Sequence, residues 1–80
     1  MEEKRMLLMH ELQNLKTMER RKVALEIDEA RQKGDLLEND EYIAAIEKRA
    51  EIEARIATLE TMLRNYDIDN FYASNNIKKM

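Results

Sequence analysis

The most constraining feature of the sequence is a seam of positions spaced alternately three and four residues apart through its second half. The positions are Tyr42, Ala45, Arg49, Ile52, Ile56, Leu59, Leu63 and Tyr66. A period of 3.5 residues places one narrow apolar stripe along a helix, which is the stripe that a coiled coil buries. Arg49 is the one charged residue of the seam, and its long stem can lie along the seam while the guanidinium reaches water.

A second helical stretch precedes this seam. Nothing interrupts a helix from residue 3 to residue 33. Apolar residues recur there at steps of three and four in two groups, separated by a polar interlude at residues 19–22: Leu8, Leu12 and Leu15, and then Val23, Ile27 and Ala30. The only glycine, Gly34, then suits the left-handed residue that ends a helix. We predict arms over residues 3–33 and 39–66 joined by a tip at 34–38, which is short enough to make the arms antiparallel neighbours. The predicted fold is all-α, a long antiparallel two-helix coiled-coil hairpin.

Composition narrows the class of protein further. Charged residues make up 39% of the 80 residues, the net charge is −3, and cysteine and proline are absent. The missing cysteines exclude disulfide scaffolds, thiolate zinc sites and cysteine nucleophiles. No apolar run approaches the roughly 18 residues of a membrane span, so we expect a cytoplasmic protein with no membrane partner.

The last residues, 67–80, lose the heptad spacing and are predicted to form a tail or an interdomain linker. They still contain Ile68, Phe71, Tyr72 and Ile77. We expect these side chains to pack against the apolar start of the first arm, residues 6–9, at the base of the hairpin. Apolar ends also permit self-association, so we expect a monomer or a weak homo-oligomer.

The predicted tip is acidic. Asp35 and Glu38 are three residues apart, so in a helical turn they share one face. Magnesium is typically held by one or two carboxylates, with waters and substrate phosphates completing its shell, so two carboxylates would complete a site held mainly elsewhere. The spacing alone also fits a capping box, in which Asp35 accepts from a backbone N–H and Glu38 reaches back. Asp35 or Asn39 is expected to cap the second helix.

A longer motif surrounds this acidic pair. Residues 29–45 read EARQKGDLLENDEYIAA. This run resembles the signature of the Gre family of bacterial transcript-cleavage factors, GreA and GreB: Glu-Ala-Arg, two variable residues, Gly-Asp-Leu, one variable residue, Glu-Asn, one variable residue, Glu-Tyr, and after one more residue Ala-Ala. The similarity extends over about residues 8–66 and covers both arms.

The resemblance implies a function. Gre factors insert this hairpin through the secondary channel of bacterial RNA polymerase and stimulate hydrolysis of the 3′ end of backtracked RNA. They are accessory factors rather than enzymes. Asp35 and Glu38 occupy the positions of the two tip carboxylates that share a second magnesium ion with the polymerase, and the resemblance implies no cofactor in the free protein.

Other positions of the motif carry supporting roles. Arg31 falls where the family places a basic residue that meets the extruded RNA. Gly34, Asn39, Glu41 and Tyr42 are expected to shape the tip, with Tyr42 as the first seam residue. The basic run at residues 20–22 is expected to be a solvated face paired with Glu19 and Glu26, in preference to a polymerase or RNA contact.

The sequence also departs from the family. Ile46 stands where many relatives carry a second basic residue. Gre factors have a globular C-terminal domain, for which 80 residues leave no room. Two alternative functions therefore remain open: a regulator that plugs the polymerase channel without cleavage, and a plain coiled-coil association module.

Overall fold

The computed structural model describes residues 2–75, and the side chains of residues 3–73. Its helices are α1 (Glu2–Asn14), α2 (Arg20–Arg31) and α3 (Asp40–Asn75), and a π-helical segment, Leu15–Glu19, joins α1 to α2. The first arm consists of α1, the π segment and α2; it packs along the second arm, α3, in a rod of 60 × 21 × 12 Å. The predicted all-α antiparallel hairpin is confirmed.

The core lies between the predicted seam of the second arm and the apolar stripe of the first, while Arg49 of the seam is exposed. Its buried residues are Val23, Ile27, Ala30, Ala45, Ile52, Ile56, Leu59 and Leu63. Leu59 is 0% exposed, and Leu12, Leu15, Tyr42 and Ile46 pack half-buried against this cluster. Each arm therefore buries one stripe and leaves the rest of its surface in water, as a two-helix rod must.

The π segment explains an irregular interval in the first arm. Leu15 and Val23 are eight positions apart, whereas two turns of a coiled coil use seven. The wider π turn at Leu15–Glu19 takes up the additional residue without breaking the helix. Leu15 above it and Val23 below it can consequently both face α3.

Among the described residues, six ion pairs cross between the arms on the outside of the seam. They are Arg5–Asp67, Glu11–Arg55, Lys16–Glu60, Arg20–Glu53, Glu26–Lys48 and Lys33–Glu41. The expected pairing of the basic run with Glu19 and Glu26 is wrong, because Arg20 binds Glu53 and Glu26 binds Lys48 on the opposite arm. Helices held side by side bring long charged side chains within reach across the seam, and a pattern within one helix does not reveal these partners.

The second arm is longer than predicted. α3 continues to Asn75, beyond the expected end at residue 66, because residues 67–75 contain no glycine or proline to stop it. The expected packing of the tail against the start of the first arm stays a prediction. Ile68, Phe71 and Tyr72 remain 43%, 54% and 38% exposed, and Ile77 lies outside the described residues. Among the described helices, none combines the length and apolar character needed to span a membrane.

Candidate functional site

The exposed end of the rod is the tip loop, residues 32–39. Two hydrogen bonds between residues three apart tighten the chain at the end of α2. The Lys33 N–H donates to the Ala30 carbonyl at 3.1 Å, and the Gly34 N–H donates to the Arg31 carbonyl at 3.4 Å. Gly34 then adopts a φ of 120°, a conformation that L side chains rarely take. The glycine therefore turns the chain away from the helix axis and starts the loop.

Asn39 joins the ends of both arms. Its side-chain Oδ1 accepts the Tyr42 N–H at 3.0 Å, which is the N-cap bond of α3. Its Nδ2 donates to the carbonyl of Ala30 at 2.7 Å, near the end of α2. One amide thus satisfies a backbone group at each helix terminus. It joins the two ends of the loop at a point that we call the neck of the loop. Of the two capping candidates, Asn39 rather than Asp35 caps α3.

Asp35 makes a different local bond. Its Oδ1 accepts the Leu37 N–H at 3.0 Å, two residues further on, so it forms a turn inside the loop. This contact fixes one carboxylate oxygen and orients the side chain. The capping-box interpretation of Asp35 and Glu38 is wrong, because α3 begins at Asp40 and takes its cap from Asn39.

Asp35 and Glu38 line the same shallow depression at the tip, together with Lys33, Asn39, Asp40 and Glu41. Both carboxylates are exposed, and within residues 2–75 neither makes an ion pair. Carboxylate oxygens are the donors that Mg²⁺ prefers, so the pair fits as a partial ligand set. Among the described residues no group of three or more metal-binding side chains converges.

The remaining residues singled out from the sequence surround this depression. Glu41 pairs with Lys33 across the neck of the loop at 2.6 Å, and this hydrogen bond raises the pKa of Lys33. Tyr42 is half-buried against the core, which anchors the first turn of α3. Arg31 is the last residue of α2; it is exposed and directly precedes the loop.

Lys33 is the tip residue that sequence reasoning did not assign to the site. It neutralises Glu41, whereas Asp35, Glu38 and Asp40 have no cationic partner among the described residues. The signal in the sequence was weak, since Lys33 and Glu41 are eight residues apart and belong to different helix ends. Only the closed path of the loop brings their side chains together.

The fold and the tip together define a helical finger that presents unpaired carboxylates at its exposed end. The family model described as "Transcription elongation factor, N-terminal", of GreA and GreB, matches residues 2–68. The chain is 54% identical over 61 residues to the transcription elongation factor GreA of Rickettsia conorii, and 57% identical over 58 residues to that of Helicobacter hepaticus. The chain belongs to the GreA/GreB N-terminal family.

These relatives are longer proteins. The alignments cover 76% of this chain and 38% of the Rickettsia conorii protein, and 72% of this chain and 36% of the Helicobacter hepaticus protein. The chain therefore spans less than two fifths of the length of these relatives. No solved structure gives a significant match.

Proposed function

We propose that this chain is the finger of a transcription elongation factor, which enters the secondary channel of bacterial RNA polymerase tip first and stimulates hydrolysis of backtracked RNA. Family membership over residues 2–68 is the observation that carries the proposal. The rod shape supports it, because a body only 21 × 12 Å in cross-section can reach a recessed site that a globular domain cannot enter.

In this proposal the chain contributes two carboxylates to the reaction, and the polymerase supplies the rest of the catalytic site. Asp35 and Glu38 supply carboxylate oxygens at the leading end, and the Leu37 N–H holds Asp35 in one orientation. A magnesium ion shared with the polymerase would polarise the phosphate and activate the attacking water. Asn39 acts through the others, because it holds the neck of the loop and so keeps the two carboxylates together. Arg31 is positioned beside the loop to meet the anionic RNA.

The test is a cleavage assay on a stalled, backtracked elongation complex with labelled RNA. Added chain should shorten the RNA from its 3′ end. Asp35→Asn and Glu38→Gln should each lower the maximal rate by at least about a hundredfold, since each removes a charge that acts on the reacting centre. Asp40→Asn is the matched control: it removes one charge from the same depression, and cleavage should persist.

Two outcomes would contradict the proposal in different ways. Slower nucleotide addition with no shortening of RNA would show a channel plug that does not stimulate cleavage. No effect on transcription and no association with polymerase would favour a plain coiled-coil module. Circular dichroism of every variant establishes that lost activity does not come from lost helix.

A further inference from the structure

The basic run of the first arm divides into two parts. Arg20 donates two hydrogen bonds to Glu53, at 2.8 and 2.7 Å. Arg21 and Lys22 point elsewhere: both are exposed, and neither has an ion pair among the described residues. Glu26 is held by Lys48 on the opposite arm, and the other acidic neighbour, Glu19, supplies a single negative charge beside the two cations. The side chains of Arg21 and Lys22 are therefore available to bind a negatively charged group outside the hairpin.

Large apolar side chains flank these two cations. Met18 and Leu25 are seven residues apart and are 63% and 57% exposed. With Glu19, Arg21 and Lys22 they line one shallow groove on the outer side of the first arm, which we call the shaft groove. Met18 belongs to the π segment, whose additional residue keeps the seam aligned while this side chain stays in water.

We propose that the shaft groove is a docking surface for a protein wall that carries an apolar side chain bordered by carboxylates, and that this wall belongs to the polymerase. The inference rests on the proposed function. Charge complementarity and the apolar rim select this occupant together, because carboxylates would pair with Arg21 and Lys22 while an apolar side chain covers Met18 and Leu25. An RNA backbone would satisfy only the cations and leave the apolar rim in water.

The position of the shaft groove gives it a role. At about 1.5 Å per residue, Leu25 lies about 14 Å and Met18 about 24 Å behind Gly34 along the arm. A wall that docks in the groove would therefore fix how far the tip extends past it. The groove sets the depth at which Asp35 and Glu38 stop.

Two double variants test this surface: Met18→Ser with Leu25→Ser, and Arg21→Glu with Lys22→Glu. Leu7→Ser and Arg64→Glu are the matched controls, since both residues are exposed and lie outside the groove. The measurement is displacement of the fluorescently labelled 80-residue chain from purified bacterial core RNA polymerase without nucleic acid. Each double variant should raise the half-displacing concentration about tenfold or more, because central apolar and charged contacts dominate interface affinity. The controls should stay within about twofold.

Each other outcome overturns a distinct part of the inference. Double variants that displace as well as the wild type would reject the docking surface, while the cleavage assay still decides the proposed function. A defect seen only when RNA is bound would assign the groove to RNA. A change in mass by light scattering of the free variants would assign it to a second copy of the chain. If the wild-type chain itself fails to bind polymerase, the inference and the proposed function fall together.

Discussion

At the scale of single residues, Asn39 is the side chain on which the tip depends most. Asn39→Ala should lower the free energy of unfolding by about 1–2 kcal/mol, because it removes the N-cap of α3 and the donor to the Ala30 carbonyl. Urea denaturation followed by circular dichroism at 222 nm measures this. Asn39→Asp keeps the cap acceptor, loses the donor and adds a negative charge that the N-terminus of α3 favours, so its loss should be smaller. Equal losses for the two variants would contradict the assignment of the cap.

Substitution of Gly34 tests the contribution of the backbone conformation alone to stability. A Cβ at this position would meet nothing within 4 Å, so the cost of Gly34→Ala comes only from the φ of 120°. We expect a loss of about 1–2 kcal/mol in the same denaturation experiment. A synthetic chain with D-alanine at position 34 is the control, because D-residues favour positive φ and should restore stability. A loss with both substituents would indicate a steric cause that the structure does not contain.

The sequence predicted which residues form the tip but not which contacts they make. Asp35 and Asn39 were both acceptable caps by residue type, and the acidic pair was visible from its spacing. The choice depends on the bond from Asn39 to Ala30, which joins two helix ends nine residues apart. No periodic pattern encodes such a contact, since it follows from the path of the whole loop.

At the scale of the helices, the π segment predicts an unusual tolerance to deletion. Removing Thr17 should convert Leu15–Glu19 to regular α-helix and leave Val23 seven positions after Leu15, so that both stay on the seam. The midpoint of thermal unfolding should change little. The measurement is circular dichroism at 222 nm against temperature.

A deletion in the regular helix is the control for this experiment. Removing the exposed Ala24 should turn Ile27 and Ala30 about 100° off the seam, because one α-helical residue is lost with no wider turn to compensate for it. This variant should be largely unfolded. Similar melting of the two deletion variants would show that the π segment does not absorb a residue.

The limits of the arms were harder to predict than their existence. The apolar spacing predicted both arms, because it follows the stripe that each helix buries. The short tip predicted their antiparallel arrangement. The period fades after Tyr66, yet α3 continues to Asn75, and the ion pair of Asp67 with Arg5 lies within that extension. Loss of an apolar stripe marks the end of burial, whereas a helix ends only where a breaker or a cap stops it.

At the scale of the whole molecule, the cross-arm ion pairs predict how stability depends on pH. Hydrogen bonds from Arg55 to Glu11 and from Arg20 to Glu53 hold the pKa of each carboxyl below 4.5 in the folded chain. Their contribution is present above about pH 4.5, the unfolded value, and is lost as the pH falls through the folded value. The thermal midpoint should therefore decrease as the pH falls below about 4.5.

The matched variants are Glu11→Gln and Glu53→Gln. Both should melt lower than the wild type at pH 7, and the difference should shrink as the pH falls through the lowered pKa of each carboxyl and the wild-type side chain becomes neutral. High salt should also shrink it, because both pairs are exposed and screened. A difference that stays constant with pH would assign the effect to packing of the side chains.

The order of charges along the rod has a consequence for the length of the finger. Sliding one arm past the other by one heptad would set Glu26 against Glu41 in one direction and Lys33 against Lys48 in the other. Either offset replaces attraction by repulsion, although an apolar stripe alone would accept several offsets. A single alignment of the arms is selected, so the span from base to end has one value, and this molecule can serve as a gauge of fixed reach.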